Sequence, residues 1–132
     1  MAPPRFFVDE NLIGVGRALA AVRDDVVHPG HLDLPDIPLG AKDPDWLPLV
    51  GADGHDLVVI TRDSGIRSKP AEYKLYVDNG VRAFFLTGKK DMTKWDKFVM
   101  LVKMWDRIEA KVAKSGAGPW AISLTNNNFK DL

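Results

Sequence analysis

Asp9 directly follows the apolar run Phe6–Val8, and Asp63 stands two residues beyond the β-branched run Leu57–Thr61. A third acid, Asp43 or Asp45, falls at the start of a short helical segment between them. If both runs are strands, three carboxylates converge on one sheet edge, where they repel one another unless a cation neutralises them. The cation that fits is Mg²⁺ or Mn²⁺, hard and oxygen-seeking. Such a metal can activate a water for in-line attack on a phosphodiester. Each acid alone has an ordinary reading as turn former or helix cap, but the three together favour a metal. Asp45 is preferred to Asp43, because Asp43 precedes Pro44 and reads as an N-cap followed by a first-turn proline. Glu10 is a candidate additional ligand, although a continued strand would turn it away from Asp9.

Arg62, Arg67 and Lys69 lie in the same edge loop as Asp63. They suit substrate phosphates, a contact that positions nucleic acid without reading its sequence; solvated loop charge is the plain alternative. Asn11 either orients a metal-bound water or caps the helix that follows. Other constellations carry less. Gly14-Val15-Gly16 lacks the third glycine of a dinucleotide fingerprint. His28, His31 and His55 are not spaced as zinc ligands. No Ser-His-Asp arrangement and no Gly-x-Ser-x-Gly elbow is present.

The elements that must position these groups alternate. Arg5–Val8 reads as a buried strand, and Leu12, Val15, Leu19 and Val22 recur at helical spacing behind Asn11. Asp25–Val27 reads as a second strand, and Leu32–Lys42, rich in Pro and Asp, as a loop. A short helix from Asp43, limited by Pro48, leads to the strand Leu57–Thr61. Pro70 opens a helix with the stripe Tyr73, Tyr76 and Val77, stopped by Gly80 before the strand Val81–Leu86. Thr93 and Asp96 form a capping box for the longest helix, striped by Trp95, Phe98, Val99, Val102, Trp105, Ile108 and Val112. That stripe is read as core, with any exposed aromatic face available to a dimer or protein partner. Trp120–Leu124 is the last strand, and 126–132 a polar tail. Strands separated by helices imply parallel βαβ units in a three-layer α/β/α sandwich, whose ligands sit beyond the carboxyl ends of the strands.

The remaining bounds are permissive. The 132 residues suit a single domain, 1–132, with its core at about 5–125, and 45% hydrophobic content excludes a disordered chain. No apolar run approaches the ~20 residues of a membrane helix. Met-Ala-Pro-Pro-Arg enters the first strand without the apolar core of a signal peptide. The absence of cysteine fits a cytoplasmic protein. With 18 basic and 18 acidic residues, the chain is not a strongly basic duplex-DNA binder.

Phe-Phe-Val-Asp9-Glu10-Asn11-Leu12, Asp45-Trp46-Leu47 and Val-Val-Ile-Thr61-Arg62-Asp63 together resemble PIN-like domains. The similarity is closest to VapC-like toxins and related nucleases with an Asp-Glu-Asn opening, and extends over about residues 5–125. The resemblance implies a parallel sheet of order 3-2-1-4-5 and a Mg²⁺- or Mn²⁺-dependent endoribonuclease specific for single strands. It further implies an acidic cluster, and a cognate antitoxin that restrains a toxin. Position by position, Asp9, Asp45 and Asp63 match the first three acids, catalytic and metal-holding. The second is a glutamate in most of the family. Gly65 stands where a further Asp often follows, leaving Asp91 as the candidate fourth acid. Loss of that acid favours an alternative, a PIN-like binding or scaffold module without catalysis. A receiver-like signalling domain, with Asp63 as phosphate acceptor, requires a lysine after the fifth strand, and Leu124 is followed by Thr125 and three asparagines.

Overall fold

The computed structural model of the protein describes residues 4–132; Met1–Pro3, on which the expectation of a leaderless N-terminus partly falls, lie outside them. β1 (Phe6–Val8) runs into a 3₁₀ turn at Glu10–Leu12 and helix α1 (Ile13–Val22). β2 (Val26–Val27), α2 (Asp43–Val50), β3 (Val58–Thr61), the single turn α3 (Gly65–Ser68) and α4 (Pro70–Asp78) follow. β4 (Arg82–Leu86), α5 (Lys94–Ser115), β5 (Trp120–Leu124) and β6 (Phe129–Asp131) complete the chain. Among the described residues no helix is long and apolar enough to cross a membrane.

The sheet is six-stranded in the order β2-β1-β3-β4-β5-β6, parallel except for β6, which pairs antiparallel with β5. The three-layer α/β/α architecture is as expected. The strand order is not the expected 3-2-1-4-5, because β3 inserts directly beside β1 (Val8 opposite Ile60). β2 has only two residues and exits through His28-Pro29-Gly30, so it makes a poor template for a further strand. β3 is buried along its whole length and needs neighbours on both sides. The polar tail is also reassigned, since Phe129–Asp131 forms an edge strand whose Phe129 packs on the ring of Phe84.

Alternate side chains divide the core in two. Phe6, Val8, Val58, Ile60, Phe84, Leu86, Ile122 and Leu124 face α1 and α5. Phe7, Val27, Val59, Ala83 and Phe85 face α2 and α4. The Pro-rich loop contributes to the second face, with Leu34 and Ile37 fully buried. Gly16 brings α1 close to β1, where a Cβ would lie 3.1 Å from the Val8 Cβ. That close approach is the use of the second glycine of Gly14-Val15-Gly16; a Cβ at Gly14 would meet only the Lys94 side chain at 3.5 Å.

Two helices bury only part of the stripe that helical spacing predicts: on α5 Trp105, Ile108 and Val112 go inward as expected. On α5 the sheet takes Met100, Leu101, Met104, Trp105, Ile108 and Val112. Trp95, Val99 and Val102 stay 69%, 41% and 52% exposed. The helix carries two apolar stripes, and the methionines, flexible enough to fill irregular gaps, decide which goes inward. On α4 only Tyr76 of the expected stripe is buried, its hydroxyl donating to the Trp120 carbonyl. The capping box at Thr93 and Asp96 forms as read, with bonds of 3.0 and 3.1 Å.

The connections differ in hand. α2 and α4 lie on one face and each carries the chain in the same direction across the sheet. α1 lies on the opposite face and carries it the opposite way, which is the same hand. α5 lies on the α1 face yet continues in the direction of α2 and α4. Its hand is therefore opposite, in a class of connection that is almost uniformly right-handed. Burial explains the exception: α1 alone cannot cover β3, β4 and β5 on that face.

Candidate metal centre

From β1 the chain steps to β2 on one side and then to β3 on the other, so strand order switches between β1 and β3. The crevice beyond the carboxyl ends at such a switch is where open parallel sheets bind ligands. Asp9 and Asp63 stand at those ends, and Asp43, at the start of α2, reaches them from the second face. One carboxylate oxygen from each of Asp9, Asp43 and Asp63 lies within 4.8 Å of the others.

Asp9 is 5% exposed, and its backbone N–H still donates to the Ile60 carbonyl (3.0 Å). Its Oδ1 accepts from the Glu10 N–H (2.6 Å), and its Oδ2 accepts from the Thr61 hydroxyl (2.8 Å) and Asn11 Nδ2 (3.3 Å). Burial pushes its carboxyl above the usual range, against the pull of the Thr61 and Glu10 hydrogen bonds, and the nearby Asp63 charge adds to the rise. Thr61, fully buried, is the junction of the site. Its hydroxyl donates to Asp9 and accepts from the Asp63 N–H (3.0 Å) and Asn11 Nδ2 (3.2 Å). Asn11 does not cap α1. The 3₁₀ turn puts Asp9 in the capping role instead, and Asn11 joins Asp9, Thr61 and the Arg62 N–H (3.3 Å).

Asp63 Oδ1 accepts from the Gly65 N–H (2.8 Å), a turn that opens α3. A Cβ at position 65 would lie 2.9 Å from that oxygen. A side chain there would collide with the carboxylate, which accounts for glycine where an acid was looked for.

The middle acid is Asp43 rather than Asp45. α2 begins one residue earlier than its sequence suggests, with Lys42 as the cap, so Asp43 is already helical. Its Oδ1 accepts from the Trp46 indole N–H (3.1 Å). Asp45, two residues on and so about 200° round the helix, is exposed and outside the cluster. Asp43 is pushed up to about 7, first by burial, then by hydrogen bonding to Asp63 and by the charges of Asp63, Asp9 and Glu72.

Glu72 is the site residue that sequence reading missed. It sits in the first turn of α4 and lines the same open cleft, about 740 Å³ in volume, as Asp9, Asp43 and Asp63. Its Oε2 is buried with no hydrogen-bond partner. An acid early in a proline-started helix ordinarily reads as a complement to the helix dipole; its position just after the Asp63 turn was the signal available.

The other candidates divide. Glu10 lines the cleft, but its Oε1 is spent on the Gly40 N–H (2.6 Å), tying down the Pro-rich loop. Lys69 lines the cleft, joined by Lys42. Arg62 turns its guanidinium away, to the Lys89 carbonyl (2.6 Å). Arg67 and Asp91 are exposed and do not line the cleft. His28 and His31 pack edge to face, and His55 pairs with Asp36 at 2.8 Å; none belongs to the acid cluster.

The donor set suits a hard divalent cation. It offers carboxylate oxygens only, one of them buried and unpartnered, and crowds like charges that a cation would relieve. A family model described as a PIN-like domain matches residues 4–88, well over half the chain and including all four acids. No curated protein and no solved structure gives a match.

Proposed function

Because the chain belongs to the PIN-like domain family, we propose that it is a divalent-cation-dependent nuclease that cuts single-stranded RNA. The observation that carries this reading is the convergence of Asp9, Asp43 and Asp63 beside the unpartnered oxygen of Glu72. Asp9, Asp43 and Asp63, with Glu72 at the same cleft, would hold Mg²⁺ or Mn²⁺, which supplies charge neutralisation for a phosphodiester and acidifies a water. The residues of the chain do the rest. Thr61 and the Glu10 N–H fix the Asp9 carboxylate in place. Lys42 and Lys69, on the cleft wall, suit the phosphates of an incoming strand. Asp43, pushed up to about 7, would have to give up its proton to hold a cation.

The acid missing from the family pattern favoured a scaffold module without catalysis; Glu72 restores a fourth carboxylate to the cleft and weakens that alternative. The Asp9-Glu10-Asn11 opening supports the finer reading, a toxin of a toxin–antitoxin pair acting in the cytoplasm. Exposed Val22 and Val102 are suited to burial against an antitoxin or a second copy.

The test is cleavage of mixed single-stranded RNA by purified protein with Mn²⁺, Mg²⁺ or EDTA. Metal-dependent cutting is expected, abolished by Asp9→Asn, Asp43→Asn or Asp63→Asn and largely kept in Asp45→Asn. Glu72→Gln is expected to lower Mn²⁺ affinity about 10–100-fold by calorimetry. Absence of both Mn²⁺ binding and cutting would overturn the reading.

A further inference from the structure

The acidic cleft shares the carboxyl edge of the sheet with a second hollow. Where β4 and β5 end, a cleft of about 420 Å³ is lined by Thr87 and Thr125 from the strand ends and by Met92, Trp95 and Val99 beside them. Sheet order sets the acidic cleft at β1–β3 and this one at β4–β5. With strands ~4.8 Å apart, the two lie on the order of 10 Å from each other along one edge. Arg62 ties them together. Its main chain bonds Asn11 in the acidic cleft, while its guanidinium donates to the Lys89 carbonyl (2.6 Å) and reaches the Met92 sulfur (3.6 Å).

The chemistry of the second cleft is that of a surface for a nucleobase. Trp95 is 69% exposed, and its ring is braced by Phe98 at a centroid distance of 6.0 Å. Exposing an indole costs hydrophobic free energy that burial in the core, or a stacked partner, would recover. Lysines flank it: Lys89 lines the same cleft and Lys94 a hollow on the other side of Trp95, and both are exposed and in no ion pair among the described residues. The acid on the cleft wall, Asp96, is turned back onto the Thr93 N–H by the capping box. An apolar ring amid unpaired cations, with the Asn126 amide at the rim, combines base stacking with backbone attraction. Those are the two components of single-strand binding.

We propose that this cleft is a substrate subsite in which a base of single-stranded RNA stacks on Trp95. Its phosphates lie along Lys89 and Arg62 toward the acidic cleft. The choice of ligand rests on the nuclease reading above. The patch would hold the strand in register a short distance from the reacting phosphate, so that affinity and cutting are carried by different residues.

The test is a fluorescence-anisotropy titration of a short labelled oligoribonucleotide of mixed sequence in the Asp63→Asn background, so that no strand is cut. Trp95→Leu is expected to weaken binding roughly 5- to 150-fold and Trp95→Phe to keep most of it. Lys89→Ala is expected to weaken binding and flatten its salt dependence. Among the described residues Trp95 is the exposed tryptophan, Trp46 and Trp105 being buried and Trp120 half-buried. Saturable quenching of intrinsic fluorescence on titration is therefore expected, and its loss in Trp95→Leu. Unchanged RNA affinity in Trp95→Leu overturns the proposal. If that variant instead dissolves a dimer seen by sedimentation, the face is a protein-docking surface and the proposal is again overturned. Wild-type protein that binds RNA through Trp95 but neither binds Mn²⁺ nor cuts would overturn the nuclease reading and leave stacking of RNA on Trp95 standing.

Discussion

A carboxyl pushed up to about 7, as that of Asp43 is, holds its proton more tightly in the folded chain than in the unfolded one. Its contribution to stability is fully present below the unfolded value near 3.8 and is lost as pH rises through about 7. The cation-free protein should therefore melt at progressively lower temperature between about pH 4 and pH 7, and Asp43→Asn should flatten that slope. Mn²⁺ should reverse the trend, because loading requires the ionised carboxylate; a calorimetric melting series with and without Mn²⁺ checks both. Asp9 and Asp63 were legible in the sequence because strand ends are local signals. Asp43 was legible only as the alternative to Asp45, since Asp-Pro reads equally well as a cap before the helix or as its first two residues, and the two acids lie about 200° apart round α2. Glu72 was hidden for a different reason: only the fold of α3 brings the first turn of α4 to the Asp63 carboxylate.

Elements are held by a few polar ties as well as by the two core faces. Arg23, just after α1, grips Asp25 through Nε (2.8 Å) and Nη2 (2.9 Å) and reaches Glu109 of α5 (2.9 Å). Its guanidinium lies 4.8 Å from the centroid of Trp105, whose indole N–H also donates to Glu109 (3.0 Å). Asp25 is buried, and Arg23→Ala leaves it only the longer Arg5 contact (4.0 Å), so the change should cost about 1–3 kcal/mol, measurable by urea denaturation. Arg23→Lys should recover only part, because an ammonium cannot reproduce the two-pronged contact. At this scale the strands and the Thr93 capping box were legible, being set by short-range composition. The buried face of α5 was not: with apolar side chains on both Trp95–Val102 and Met100–Ile108 lines, helical spacing alone cannot choose which meets the sheet.

At the scale of the whole molecule, the stretch matched to the family ends at residue 88, just past β4. The core facing α1, however, takes six residues from α5 and two from β5. A chain stopped after residue 88 should therefore fail to fold, appearing as aggregate on size exclusion and without cooperative melting. A well-folded, monomeric fragment would refute this account of the core. Layering and parallel pairing were legible in the alternation of elements, whereas strand order depends on which strands need two neighbours, a competition no single segment records. The opposite hand of the α5 connection carries a consequence for how the protein is made. Because α5 is the last helix made and covers the face that α1 cannot, Val58, Ile60, Phe84 and Leu86 are finished while their cover is still unsynthesised. At bacterial-to-eukaryotic elongation rates of about 5–20 residues per second, the ~30 residues from the end of β4 to the end of α5 take roughly 1.5–6 s. For that interval the apolar side chains of β3 and β4, in a chain that cannot yet fold, should lie open to chaperones and to other chains at the same stage of translation.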